Sequence, residues 1–99
     1  MKVVLVHDAT TDLREIGDYV AENNAQAAVR LVSALRRACL DLGKFPHKFP
    51  IVGESNGSAV RRRPHGAYLI FYRVIDKGVE VLRVMHSARD HERILFPED

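Results

Sequence analysis

Apolar side chains recur along this chain with two different periods, and the change of period divides it into a helical half and a strand-rich half. A short β-branched run over residues 3–7 predicts an opening strand. Asp8-Ala9-Thr10-Thr11-Asp12 follows, offering side-chain oxygens to cap a helix whose dipole also favours acids in its first turn. Leu13, Ile16, Gly17 and Val20 then fall at i, i+3, i+4 and i+7, one face of a first helix that Asn23-Asn24 ends. A second helix gathers Ala28, Leu31, Val32, Leu35, Cys39 and Leu42 on one stripe, with Arg30, Arg36, Arg37 and Asp41 mainly off it. Gly43 is its expected C-terminal cap, and Pro46 prevents continuation. So short a link between the helices makes them an antiparallel hairpin.

Residues 45–57 hold two prolines, two glycines and no clear periodicity, which predicts a loop anchored by Phe45, Phe49 and Ile51. Three strands are expected next, over residues 58–63, 67–75 and 79–86. Pro64-His65-Gly66 and Asp76-Lys77-Gly78 separate them as tight hairpin turns. The nearly unbroken apolar run from Tyr68 to Ile75 suits a central strand covered on both faces. Val79 to His86 alternates imperfectly, interrupted by Glu80 and Arg83. Residues 87–95 are a final helical turn or an ordered tail. The fold class is therefore α+β, in the order β-α-α-β-β-β: an N-terminal strand, a helical hairpin and a three-stranded antiparallel meander. Such a layout leaves the opposite sheet face and one edge open to a partner.

Composition bounds this picture. Ninety-nine residues, 46% apolar and 28% charged, make one domain spanning 1–99 and exclude the disordered class. A net charge of +2 excludes a polybasic coat for nucleic acid, yet its distribution is uneven. Residues 44–73 carry Lys44, Lys48, Arg61, Arg62, Arg63 and Arg73 against Glu54 alone, while the segments on either side are mildly acidic. Arg outnumbers Lys eleven to four, which favours planar, bidentate recognition. A single cysteine excludes an intramolecular disulfide, and Cys39 reads as a small core residue. The N-terminal apolar run is shorter than a signal sequence needs, and no run is long enough to span a bilayer, so a cytoplasmic protein without a membrane partner is expected.

Motifs of common catalytic chemistry are missing from the sequence. His86, His91 and a remote cysteine lack zinc-ligand spacing, so no metal or other cofactor is expected. The glycines sit in separate turns, not in a phosphate loop, and no serine has a nucleophile-elbow context. What stands out is Val60-Arg61-Arg62-Arg63-Pro64, followed later by His86-Ser87-Ala88-Arg89-Asp90. On a strand Arg61 and Arg63 share one face and Arg62 takes the other. Three guanidiniums so close need anions nearby, and Asp90, Glu54 or Glu80 are internal candidates. Ion-paired arginines holding the sheet edge, a patch for an acidic partner and direct phosphate contact are all compatible with the triplet. His86 suits a hydrogen-bonded structural role, and Arg89-Asp90 a local ion pair.

The order of elements and several specific runs resemble toxins of the RelE/ParE superfamily from bacterial type II toxin–antitoxin systems. The resemblance rests on Asp12-Leu13-x-x-Ile16-x-x-Tyr19, the loop with Pro46 and Pro50, and Val60-Arg61-Arg62. Its strongest parts are Tyr68-Leu69-Ile70-Phe71-Tyr72-Arg73-Val74 and the run from Val79 to Asp90. The His-x-x-Arg-Asp ending is similar to the ParE branch. Membership implies a hetero-oligomeric complex with a cognate ParD-like antitoxin whose acidic C-terminal segment meets the basic third of the chain. It also implies DNA gyrase as target, a block to replication without catalysis, and a part in plasmid stabilisation. Residues placed at the antitoxin or target surface are Arg61, Arg62, Arg63, Tyr68, Arg73, Arg83, His86 and Arg89. The alternative is the RelE branch, ribosome-dependent mRNA endonucleases, for which His86, Arg89 and Arg61 would be the catalytic set. Against it, Lys44 and Lys48 are isolated and no tyrosine follows residue 72.

Overall fold

Strand β1 (Lys2–Leu5) runs almost directly into helix α1 (His7–Ala21), in a computed structural model that describes residues 1–97. The Val6 N–H between them donates to the Val81 carbonyl at 3.0 Å, so the sheet fixes the strand-to-helix junction. This is why the expected oxygen cap is not used: Val6 is the N-cap residue and no side chain caps the helix. Asn24 does cap α2 (Ala25–Asp41), accepting the Ala27 N–H at 3.0 Å and satisfying one of the helix's orphan donors. Gly43 serves a purpose other than the expected cap. Leu42 is the C-cap in ordinary right-handed geometry, and a Cβ on Gly43 would run into the Met1 carbonyl. The glycine is where the end of α2 passes the start of the chain.

Four further strands follow: β2 (Ile51–Ser55), β3 (Ser58–His65), β4 (Tyr68–Ile75) and β5 (Gly78–His86). They form one mixed five-stranded sheet in the order β1-β5-β4-β3-β2, with β1 parallel to β5 and every other pair antiparallel. The meander thus has four strands, one more than the periodicity predicts. Strand β2 lies inside the expected loop, hidden by Pro50 before it and by a register shift between Ile51 and Gly53. Asn56-Gly57 joins β2 to β3 with both residues at positive φ (53° and 78°), the geometry of a tight hairpin. Strand β3 also continues through Pro64 and His65 to a turn at Gly66-Ala67. Proline is tolerated there because pairing with β2 reaches only Arg61, so no strand requires its N–H.

Central strand β4 is covered on both faces, as its composition requires. On one side α1 and α2 bury Leu13, Leu35, Cys39 and Leu42 against Ile70, Tyr72, Val79, Val81 and Val84. On the other, helix α3 (His91–Leu95) and Phe96 close a smaller cluster of Val60, Phe71 and Met85. The opposite sheet face is therefore not left open, as the sequence layout implied. Phe96 is seated over Gly53, where any side chain would collide with its ring. Of the three expected loop anchors, Phe49 packs against the main core, whereas Phe45 and Ile51 are exposed.

Candidate functional site

A groove of about 580 Å³ opens between α1 and the adjoining ends of β4 and β5. Helical spacing places Ile16 and Tyr19 on one wall, and Tyr68, Met85 and His86 form the other. Ala88 and Arg89 close one end. Tyr19 is 73% exposed, an unusual position for an aromatic ring beside an apolar groove.

An ion pair between α1 and β5 holds the groove's floor. Asp12 is buried and accepts Nε and Nη2 of Arg83 at 2.7 and 2.9 Å, and also the Val84 N–H at 2.9 Å. Arg83 reaches α1 because β5 carries a bulge: Phe71 faces Arg83 but Tyr72 faces Val81, which leaves Leu82 as the extra residue. Donating to the Asp12 carboxylate pushes Arg83 further into its charged range, against the opposing effect of burial. Two signals existed in the sequence. Asp12 sits on the apolar stripe of α1, at i+3 from Ala9 and i−4 from Ile16, and Arg83 interrupts the alternation of β5.

His86 and Arg89 stand exposed at the groove's rim. The His86 ring meets Tyr68 edge-on, with centroids 5.4 Å apart, and its Nδ1 accepts the Ala88 N–H at 3.0 Å. With Nδ1 so engaged, Nε2 is the ring nitrogen left for other partners. Arg89 forms no ion pair among the described residues. Asp90 instead lies 4.0 Å from Arg93 and caps α3, which corrects the expected Arg89-Asp90 pair.

Arg61 and Arg63 lie on the helix-side face of β3 at the opposite end of α2, and their forks turn inward. Arg61 Nη1 donates to the carbonyls of Phe49 (2.7 Å) and His47 (3.2 Å), and Arg63 Nη1 to that of Ala38 (2.7 Å). Tyr72 adds a 2.8 Å bond from its hydroxyl to the Pro46 carbonyl. Backbone carbonyls, not the carboxylates of Asp90, Glu54 or Glu80, thus meet these arginines; Glu80 pairs with Arg73 at 2.7 Å. Arg62 takes the other face, as the alternation requires, and its buried Nε has no partner among the described residues. Cys39 is wholly buried and its thiol is pushed up to about 11 by that burial, which makes it a packing residue. Burial likewise raises Tyr72, with Arg61 and Arg63 opposing.

The predicted site residues therefore divide. Tyr68, His86 and Arg89 line the groove and Arg83 pairs with Asp12 in its wall, Arg61 pins the turn after α2 and Arg63 the last turn of α2 itself, and Arg62 and Arg73 lie apart from both. Among the described residues no cluster of His, Cys, Asp or Glu has the makings of a metal site, and no helix is long and apolar enough to cross a membrane.

Comparison with known proteins agrees across sequence and structure. The family described as ParE toxin of type II toxin–antitoxin system, parDE, matches residues 3–91. Toxin RelE2 of Caulobacter vibrioides is 31% identical over 88 residues, which span 89% of this chain and 97% of that protein. A solved chromosomal ParDE toxin–antitoxin system from P. aeruginosa contains a chain of similar fold, with a TM-score of 0.73 and 22% identity over 87% of this chain and 95% of that one. A chain of the RelBE2 toxin–antitoxin complex from Mycobacterium tuberculosis is also similar, at TM-score 0.65 and 21% identity over 86% and 95% of the two chains.

Proposed function

We propose a gyrase-directed role for this chain on the premise that it belongs to the ParE toxin family of type II toxin–antitoxin systems, within the RelE/ParE superfamily. In this reading it is a toxin that blocks replication by binding DNA gyrase and is neutralised by a ParD-like antitoxin. The observation that carries the choice of target is how the arginines are spent. Arg61, Arg63 and Arg83 are all engaged by the protein's own carbonyls and by Asp12. What faces outward is an apolar groove rimmed by Tyr19, His86 and Arg89. An exposed tyrosine, an arginine and a concave apolar floor are the makings of a protein-contact hot spot. Cleavage of RNA asks for free cations around a pentacoordinate phosphorus and a general acid. Among the described residues the groove's rim offers one arginine, Arg89, with His86 beside it.

The likeness to the protein named RelE2 favours a second reading, ribosome-dependent mRNA cleavage by His86, Arg89 and Arg61. Expression of the chain with and without the product of the neighbouring gene, while supercoiling and protein synthesis are followed together, separates the two. Gyrase inhibition predicts lost supercoiling with translation continuing, abolished by Tyr19→Ala or Arg89→Ala. Cut messages with normal supercoiling would instead establish the nuclease.

A further inference from the structure

The two helices that cover the sheet carry opposite charge on their outer sides. Along α1 and its C-cap, Asp8, Glu15, Asp18 and Glu22 stand exposed, with Arg14 the one lysine or arginine among them. Along α2, Arg30, Arg36 and Arg37 stand exposed, and its one acid, Asp41, is half-buried in the last turn. The helices lie side by side, so close at Gly17 that an added Cβ would touch Val32. Yet no ion pair joins the two rows: those among the described residues are Arg73–Glu80, Asp12–Arg83 and Arg93–Asp90. Beside its arginines α2 also exposes Val29 (68%) and Leu40 (53%), about three helical turns apart on one side.

We infer that this helical face pairs with the same face of a second copy of the chain, α1 of each lying on α2 of the other about a twofold axis parallel to the helices. A partner of a single charge meets repulsion over half the face. The acids of α1 oppose RNA, DNA or an acidic peptide, and the arginines of α2 oppose a basic one. A copy of this chain carries both rows at the same spacing, and the twofold turn exchanges left for right, which lays acids on bases at both contacts. Val29 and Leu40 then leave water against the partner. The size of the face sets the strength. Helices of 15 and 17 residues, rising 1.5 Å per residue, are about 23–26 Å long and, side by side, about 20 Å wide. That is about 500 Å² on each copy and about 1,000 Å² in the pair, the lower bound of a specific interface. The dimer is therefore weak, and salt loosens it. The inference holds whether the groove's target is gyrase or not.

Analytical ultracentrifugation of the full chain, from micromolar to submillimolar concentration, tests it. At low salt the chain should pass from monomer to dimer as concentration rises, and high salt should return it to monomer. Arg30→Glu/Arg36→Glu/Arg37→Glu makes both rows acidic, and Glu15→Lys/Asp18→Lys/Glu22→Lys makes both basic, so each variant should be monomeric alone. Mixed in equal amounts the two should recover the dimer, because acids again meet bases at both contacts; mixing would not cure a structural fault in either. Where circular dichroism shows a reversed chain unfolded, Arg30→Gln/Arg36→Gln/Arg37→Gln takes its place. It should weaken the dimer about tenfold or more, since each arginine counts twice in a symmetric pair. A chain monomeric at every concentration, a dimer indifferent to the variants, a mixture that stays monomeric, or species that keep growing with concentration overturns the inference. A monomer that binds a labelled RNA or acidic peptide through these arginines has another occupant there and overturns it as well.

Discussion

Asp12 carries its charge on the buried side of α1 because Arg83 meets it there, and each makes the other's burial tolerable. Removing one partner strands the other. Asp12→Ala leaves the guanidinium and the Val84 N–H without an acceptor, and should cost about 3 kcal/mol in urea unfolding. Asp12→Leu with Arg83→Met, which removes both charges, should recover most of that loss. A single-variant loss below about 1 kcal/mol would show that the pair contributes little more than an exposed one. A second residue-scale prediction concerns alkali. The Cys39 thiol, near 9.0 when free, is held at about 11 in the folded chain, and Tyr72 is also raised. As pH climbs past 9, unfolded chains ionise first, so stability present below that pH should fall progressively through about 11. Urea midpoints measured at rising pH check the slope, and Cys39→Ala should flatten its lower part. A thiol that reacts freely with alkylating reagent at neutral pH in the native protein would contradict the burial argument.

Among the elements, the two helices and the central strand were legible because burial on one face, or on both, writes a period into the sequence. Leu13, Ile16, Leu35, Cys39 and Leu42 all pack where the stripes place them. Strand β2 was not legible, since a bulged edge strand with Gly53 under an aromatic ring has no alternation to read. Nor was the pairing of β1 with β5, which joins residues more than seventy positions apart. The candidate site was legible in part: His86, Arg89 and Tyr68 meet at one groove, but the inward turn of Arg61 and Arg63 depends on where the carbonyls of residues 38, 47 and 49 end up. Two glycines test the close approaches. Gly43→Ala places a methyl group against the backbone of Met1, which cannot give way locally, so a loss of about 1–3 kcal/mol is expected with β1 loosened in hydrogen exchange. Gly53→Ala meets the far end of the Phe96 ring, which can leave. The expected result there is faster proteolysis within residues 91–97 with the rest of the sheet intact. Unchanged proteolysis would mean that Phe96 does not hold α3 down.

Across the whole molecule, charged side chains from the basic segment and from outside it gather at two surfaces and are used differently at each. At the end of α2 the arginines stabilise a turn, and the lysines stay free around Phe45. At the groove between α1 and β5 the Asp12–Arg83 pair is internal, and Arg89 with His86 marks the rim. Membership of the ParE toxin family places both surfaces on a toxin of a type II toxin–antitoxin system. The action proposed for this chain is inhibition of gyrase by protein contact through the groove. Purified chain titrated into a reaction of gyrase and relaxed plasmid tests it most directly, with ribosomes translating a reporter message in a parallel reaction. Loss of supercoiling with accumulation of cleaved plasmid, prevented by Arg89→Ala and with the message intact, is the predicted result. Undiminished supercoiling together with a cut message would contradict it.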